Sequence, residues 1–169
     1  MMTTHFLGCQ MTARDFRICR AMLETYADPG LASLRLLRGK MGSAAIVPDD
    51  DVDPLVATLN SRVEFQVDDE APQLRILVAS EFRDGLVGLT LPVSTPRGMA
   101  LMGLRQGQAC AFDEGGRMRN LFVRRIAYQP QAARSGRSVS GSQPAVPCRQ
   151  GEIINFMRMR EARLTRASE

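Results

Sequence analysis

The sequence is poor in the residues that build metal centres and nucleophilic active sites. It contains a single histidine, His5, so we expect neither a zinc site nor a Ser-His-Asp triad in the fold. Its four cysteines, at positions 9, 19, 110 and 148, lack the paired spacing of a metal knuckle or a disulfide framework. Neither a phosphate loop nor a G-x-G-x-x-G turn occurs. We therefore expect no metal and no cofactor.

Long apolar segments are also absent. No run approaches the roughly 18 apolar residues that a membrane span needs, and no charged segment followed by an apolar core opens the sequence. We predict a cytoplasmic protein with no membrane partner. The 169 residues are 44% hydrophobic and 24% charged, which excludes collagen, coiled-coil rods and full disorder. This length suits one domain of good size or two small ones.

The formal net charge of +4 is unevenly distributed. Residues 1–60 sum to −1 and residues 61–130 to +1, whereas residues 131–169 sum to +4. Because the whole excess lies in the last segment, we expect no specific nucleic-acid binding by the folded body.

Residues 12–47 predict a short antiparallel helical hairpin after a flexible N-terminus, residues 1–11. Thr12 and Asp15 have the spacing of a capping box. A break at residues 27–30 separates two helical segments, each with apolar residues on one face. Gly39 and Gly42 each weaken the second helix by about 1 kcal/mol relative to alanine, so the hairpin needs support from its neighbour. The apolar faces comprise Phe16, Cys19, Leu23 and Tyr26 in the first helix and Leu34, Leu37 and Met41 in the second.

Residues 48–60 read as an acidic linker, with four aspartates between Pro48 and Val56. Such a cluster could bind a hard cation, but no EF-hand spacing is present, and we favour a solvated connection.

Residues 61–130 predict a small antiparallel sheet with one short helix, so the fold class is α+β. Val63, Phe65 and Val67 alternate with polar residues, as in a half-buried strand. Further strands are expected near residues 74–78, 88–91, 108–112 and 117–128, with a hairpin turn at residues 113–116. Thr95 followed by Pro96 is typical of a helix start.

Residues 131–169 form a basic tail that we expect to be largely disordered, because it is rich in Arg, Ser, Gly, Gln and Pro. Within it, residues 152–166 combine apolar and arginine residues, so an amphipathic helix for an anionic surface or a partner groove is the alternative.

Three segments in one order carry a family resemblance: Thr58–Val63, Thr95–Gly107 and Tyr128–Pro130. The sequence between residues 12 and 131 resembles the regulator of nucleoside diphosphate kinase family, relatives of the Gre transcript-cleavage factors. Gln108 departs from the pattern, since the family usually places Asp after that glycine.

The resemblance implies a short antiparallel coiled coil followed by a domain of the FKBP-like fold. It further implies RNA polymerase as the partner, with the globular domain at the rim of the secondary channel and the hairpin tip directed inward. The matching docking segment is Thr95, Pro96, Arg97 and Met99, and the tip offers Glu24 and Asp28.

We expect no catalytic residues in this chain. About 15 residues per helix reach roughly 22 Å, about half the length that the resemblance implies for Gre hairpins. The prediction is a non-enzymatic transcription regulator that competes with Gre-type factors near the secondary channel without stimulating cleavage. One alternative is direct action on nucleoside diphosphate kinase, although we favour an indirect link to that enzyme. The other is prolyl isomerisation, which rests on the fold name alone.

Overall fold

The computed structural model describes residues 8–25, 32–79 and 88–137. All of them belong to one compact unit, Met1–Val139. The elements in chain order are β1 (Gln10–Thr12), α1 (Ala13–Thr25), α2 (Ala32–Ser43), β2 (Ala45–Val47), β3 (Arg62–Val67), β4 (Gln73–Val78), β5 (Thr90–Pro92), α3 (Pro96–Leu101), β6 (Ala109–Glu114), β7 (Arg117–Tyr128) and α4 (Pro130–Arg134). The predicted α+β fold class is confirmed.

A five-stranded sheet with the order β5-β4-β3-β7-β6 forms the centre of the unit. Val63, Phe65 and Val67 of β3 are buried on one face, as the alternation predicts. The long strand β7 pairs with both β3 and β6 and is joined to β6 by a tight turn. That turn uses Gly115 and Gly116 with φ of 65° and 82°, the left-handed conformation of a type I′ hairpin.

The expectation of a purely antiparallel sheet is wrong at one edge, where β5 pairs with β4 in parallel. Parallel neighbours need a crossover connection, and a pattern of short strands does not specify strand direction.

The two helices of the N-terminal half pack onto one face of this sheet. Their buried apolar residues lie in the same core as Phe65 and Leu121: Cys19 and Leu23 of α1, Leu34 and Leu37 of α2. The hairpin helices therefore share the core of the sheet domain. Within the described residues no helix is long and apolar enough to cross a membrane.

Lys40, in the last turn of α2, is fully buried and joins the hairpin to α3. Its Nζ donates to the carbonyl of Met102 at 3.1 Å and to that of Ala100. These carbonyls lie at the C-terminal end of α3, where a cation satisfies groups that the helix leaves without partners.

The expectation of a flexible N-terminus is wrong for residues 8–11. Cys9 and Met11 are buried, and β1 pairs in parallel with β2. The Gln10 N–H also donates to the Gly103 carbonyl at 3.2 Å. β2 and Gly103 both lie far from β1 in the sequence. A strand of only three residues with such distant partners has no local sequence signal.

The acidic segment 48–60 is packed onto the fold, and the expectation of a solvated linker is wrong. Its aspartates at positions 50 and 51 are exposed, while apolar residues between and after them are buried. Asp53 pairs with Arg105 at 3.2 Å and accepts from the Leu55 N–H at 2.8 Å. The buried side chains are Val52, Val56, Ala57 and Leu59.

The tail begins later than predicted. α4 occupies residues 130–134, with Gln131 and Ala132 buried, and described residues continue to Arg137. The expectations for residues 1–7, the helix-connecting tip with Asp28, and residues 138–169 concern positions outside the described residues.

Candidate functional site

The predicted docking segment begins at the N-terminus of α3 and is held by a side-chain cap. The Thr95 hydroxyl oxygen accepts from the Gly98 N–H at 3.1 Å and donates to the Pro92 carbonyl at 2.7 Å. Pro96 occupies the first turn, where its missing N–H costs nothing. A cap of this kind contributes about 1 kcal/mol and fixes the direction in which the chain enters the helix.

Gly98 allows α3 to lie directly against the end of β5. A Cβ built at this position would stand 2.1 Å from the Pro92 carbonyl oxygen. The glycine of the family-like string is therefore required by close backbone approach.

Met99 does not belong to the surface. Its side chain is 1% exposed and lies in the core, so the expectation that it contacts a partner is wrong. The last four residues of this six-residue helix are all buried, whereas Thr95, Pro96 and Arg97 retain partial exposure.

Arg97 is fixed by two carboxylates that sequence analysis did not connect to it. Its Nε and Nη2 donate to Glu114 at 2.7 and 2.9 Å, and its Nη1 and Nη2 donate to Glu70 at 2.9 and 3.1 Å. Both contacts are bidentate, the geometry in which a planar guanidinium binds most strongly. The hydrogen bond to Glu114 raises the pKa of Arg97 further, so its charge is permanent.

A second guanidinium extends this network. Arg119 donates to Glu114 at 3.2 Å and also to Glu70 and Asp68. Asp68 adopts a positive φ of 45°, and its Oδ1 accepts from the Asn120 N–H at 2.8 Å. We call these five residues the turn cluster: Asp68, Glu70, Arg97, Glu114 and Arg119.

The carboxylates of the turn cluster stay ionised well below neutral pH. The Asn120 N–H lowers the pKa of Asp68, and hydrogen bonds from Arg97 lower the pKa values of Glu70 and Glu114. Three carboxylates face two guanidinium groups, so the turn cluster carries a net negative charge.

The turn cluster joins three separate pieces of chain: the β3–β4 turn, the start of α3, and the β6–β7 hairpin. Beside it an open cleft of about 340 Å³ is lined by Asp68, Asp69, Glu70, Arg117 and Arg119. Asp69 and Arg117 are exposed at its rim. The segment that the resemblance identified for docking is thereby held rigidly next to a charged concave surface.

Glu24, predicted at the hairpin tip, lies at the end of α1. It pairs with Arg20 at 3.0 Å, and both side chains are about two-thirds exposed, at 66% and 69%. An exposed pair of this type contributes at most about 0.5 kcal/mol. α1 and α2 contain 13 and 12 residues, which corresponds to roughly 20 and 18 Å.

The other family-like segments meet in a buried polar network. The Thr58 hydroxyl donates to the side-chain amide oxygen of Gln131, Oε1, at 2.9 Å and lies 2.8 Å from the Ser61 hydroxyl. Gln129 donates to the carbonyls of Asp53 and Val56, each at 2.8 Å. These residues hold the acidic segment against the end of β7, which is a structural role.

Buried titratable groups outside the turn cluster are poorly suited to catalysis. Burial raises the pKa of Cys9 and Cys110, and that of Cys19 to about 12, so these thiols are protonated and unreactive. Asp15 has its pKa raised to about 6 by burial, but its carboxylate accepts from the Leu59 N–H and points into the fold. Within the described ranges, no group of three or more His, Cys, Asp or Glu side chains could hold a metal.

Comparison with solved structures identifies the fold. The prokaryotic transcription elongation factor GreA/GreB from Nitrosomonas europaea superposes with a TM-score of 0.55 and 26% identity, covering 71% of this chain and 98% of that one. The fold is thus that of the GreA/GreB class of transcription factors.

Sequence comparison then gives the family. The regulator of nucleoside diphosphate kinase from Escherichia coli (strain K12) is 33% identical over 115 residues, which cover 66% of this chain and 83% of that protein. The regulator of nucleoside diphosphate kinase from Shigella flexneri matches to the same extent. None of the protein-family models compared matches the chain. This chain belongs to the regulator of nucleoside diphosphate kinase family, as the resemblance indicated.

Proposed function

We propose that this protein is a non-enzymatic transcription regulator that binds RNA polymerase near its secondary channel. The observation that carries the proposal is the turn cluster, which fixes Arg97, next to the capped helix start at Thr95 and Pro96, beside a charged cleft on a GreA/GreB-type fold. A pre-ordered surface loses little conformational entropy on binding, which favours recognition of a large partner.

The surface of this cleft favours a partner with basic side chains. The turn cluster has three carboxylates and two guanidinium groups, and at the rim Asp69 adds a carboxylate and Arg117 a guanidinium group, so one net negative charge remains. The guanidinium groups of Arg97 and Arg119 already donate hydrogen bonds to carboxylates of the turn cluster, so they fix its geometry more than they attract a partner. Binding through exposed charges is screened over about 8–10 Å at physiological ionic strength and should weaken as salt rises.

The short helices favour occupation of the channel entrance without chemistry. Helices of roughly 18–20 Å are about half the length that the resemblance implies for Gre hairpins. Glu24 at the end of α1 is therefore too far from the polymerase catalytic metal to act on it. The protein would therefore exclude Gre-type factors from the same position and leave transcript cleavage unstimulated.

The test is binding to core RNA polymerase by biolayer interferometry, with Asp69→Lys as the perturbing variant. Asp69 is exposed at the cleft and forms none of the turn-cluster contacts, so the substitution reverses charge without dismantling the site. We expect affinity to fall about five-fold or more, equivalent to about 1 kcal/mol. Asp51→Lys, the same reversal at an exposed position in segment 48–60, is the matched control and should bind like the parent protein.

A second candidate function, direct regulation of nucleoside diphosphate kinase, rests on the name of the relatives. A change in kinase turnover in a purified mixture without polymerase would favour it. Prolyl isomerase activity has no such support, because Phe65 and Phe112 are buried in the core and the described cleft is lined by charged residues.

A further inference from the structure

The five-stranded sheet has a second face that the described helices do not cover. On β3, Arg62, Glu64 and Gln66 alternate with the buried residues Val63, Phe65 and Val67, so they belong to this second face. Paired residues of antiparallel neighbours share a face, which extends the set across β4, β7 and β6. We call it the open face; by register it includes Arg62, Glu64, Gln66, Phe122, Arg125 and Tyr128. Arg124, at a bulge in β7, has no strand partner but donates to Gln66 and lies 3.7 Å from Glu64, so it belongs to the same face.

Two aromatic side chains stand exposed on the open face. Phe122 pairs with Gln66 and is 42% exposed, and Tyr128 pairs with Arg62 and is 49% exposed. Gln66 and Arg62 are four residues apart on β3, so the rings lie about 13 Å apart along the strands. The partner of Phe122 on β6 is Ala109, whose small side chain leaves the ring of Phe122 accessible from that side.

Arginines lie between and beside the two rings. Arg124 and Arg125 flank the same carboxylate, Glu64, with N–O distances of 3.7 and 3.5 Å, and both are nearly half exposed. Arg62 is exposed next to Tyr128. Among the described residues, three guanidinium groups thus face one carboxylate over this part of the sheet. The near-neutral charge of residues 61–130 hides this excess, because five of its eight carboxylates lie at the β3–β4 turn and the β6–β7 hairpin: Asp68, Asp69, Glu70, Asp113 and Glu114.

We propose that the open face binds single-stranded nucleic acid. Exposed rings on a sheet provide stacking surfaces for unpaired bases, and arginines placed between them neutralise the connecting phosphates. A duplex keeps its bases stacked and cannot use the rings. The contacts are to base faces and phosphates, so binding is independent of sequence. This activity is separate from polymerase docking, because Arg119, which pairs with the buried Phe112, and Arg97 on α3 lie on the helix-covered face of the sheet.

Fluorescence anisotropy of the full chain tests the proposal, with labelled oligouridylate, oligothymidylate and a duplex, each of about 15 nucleotides. We expect saturable binding of the single strands and much weaker binding of the duplex. Oligouridylate and oligothymidylate together show whether the 2′-hydroxyl contributes. Phe122→Ala/Tyr128→Ala should weaken binding roughly ten-fold or more, as loss of base stacking predicts.

Charge variants separate this face from other basic parts of the chain. Arg62→Ala/Arg124→Ala should lower the slope of log affinity against log salt by about 1.4, or about 0.7 for each phosphate that is no longer neutralised. Arg35→Ala/Arg38→Ala removes two exposed charges from α2, which packs on the opposite face, and should leave that slope unchanged. Phe122→Tyr/Tyr128→Phe keeps both rings and should bind like the parent protein.

Unchanged binding by the ring and arginine variants would place any nucleic-acid affinity elsewhere in the chain and overturn the proposal. Absence of binding to all three probes would do the same. Self-association through the open face, detected by sedimentation and abolished by Phe122→Ala/Tyr128→Ala, would replace it with a protein interface. Asp69→Lys adds positive charge three residues from Gln66, the partner of Phe122, so it should bind the single strands at least as tightly as the parent protein. Failure here and failure of the polymerase proposal are therefore distinguishable.

Discussion

Asp15 offers the sharpest test of the energetics, because its burial is costly at neutral pH. The carboxylate lies at the start of α1, is 1% exposed, and accepts from the Leu59 N–H at 3.1 Å. Burial raises its pKa from 3.8 to about 6, outweighing the lowering effect of that hydrogen bond. Between these two values the folded state binds more protons than the unfolded state, so stability falls as pH rises through this window.

The magnitude follows from the same shift. A difference of about two pKa units corresponds to about 3 kcal/mol of stability lost between pH 3.8 and about 6. Asp15→Asn removes the ionisation while its amide oxygen can still accept from Leu59. We expect the variant to be more stable than the parent at about pH 8, by up to about 3 kcal/mol, and to lose this advantage at about pH 4.

Urea denaturation of both proteins across this range measures the difference directly. Other titrating carboxylates, including those of the turn cluster, contribute equally to both proteins and cancel. A variant that is less stable than the parent at about pH 8, or a difference that does not vary with pH, would refute the reasoning. The first result would mean that the ionised carboxylate is stabilised by the helix N-terminus more than burial penalises it.

Two further predictions concern α3 and its neighbours. Gly98→Ala should destabilise the fold strongly, because its Cβ would lie 2.1 Å from the Pro92 carbonyl oxygen. The control Gly42→Ala on α2 meets nothing within 4 Å and should stabilise the protein by up to about 1 kcal/mol. Thermal unfolding measures both changes, and equal effects would contradict the close approach at Gly98. Burial lowers the pKa of Lys40 below 10.5, so just below pH 10.5 the unfolded state binds more protons at this residue than the folded state. The parent protein should therefore gain stability relative to Lys40→Met as pH rises toward 10.5. A difference in unfolding free energy that stays constant with pH in urea denaturation would contradict this.

Sequence reasoning succeeded where the signal is local. The alternation of Val63, Phe65 and Val67 predicted a half-buried strand, and the Thr12–Asp15 spacing predicted a helix cap, seen as the Asp15 N–H donating to the Thr12 hydroxyl at 3.0 Å. The family resemblance and the α+β class are confirmed by the comparisons. The strand and the cap depend on residues close together in the chain, and the resemblance depends on short strings that are each recognisable in the sequence.

The errors and omissions involve partners far apart in the chain. Glu70 and Glu114 lie 27 and 17 residues from Arg97, so the turn cluster has no signature in any short window. Lys40 contacts carbonyls about 60 residues away, and nothing local distinguishes it from an exposed lysine. Met99 was placed on the surface because a motif match does not reveal which side of a short helix is buried.

Contacts between distant parts of the chain also explain why the solvated linker predicted for segment 48–60 is wrong. Its charge and its prolines predicted solvation, but Val52 lies between the aspartates, Val56 and Leu59 follow them, and all three side chains pack into the fold. Gln129, after the end of β7, donates to the carbonyls of Asp53 and Val56 and so holds this segment, although it lies more than 70 residues further along the chain.

Competition for core RNA polymerase tests the central claim most directly. The protein is bound to immobilised polymerase and challenged with a Gre factor, and transcript cleavage is followed in parallel on a stalled complex. The account predicts saturable, salt-sensitive binding that the competitor displaces and that Asp69→Lys weakens, with no cleavage stimulated by this protein. Binding that the Gre factor does not displace, stimulated cleavage, or no binding at micromolar concentrations would contradict it.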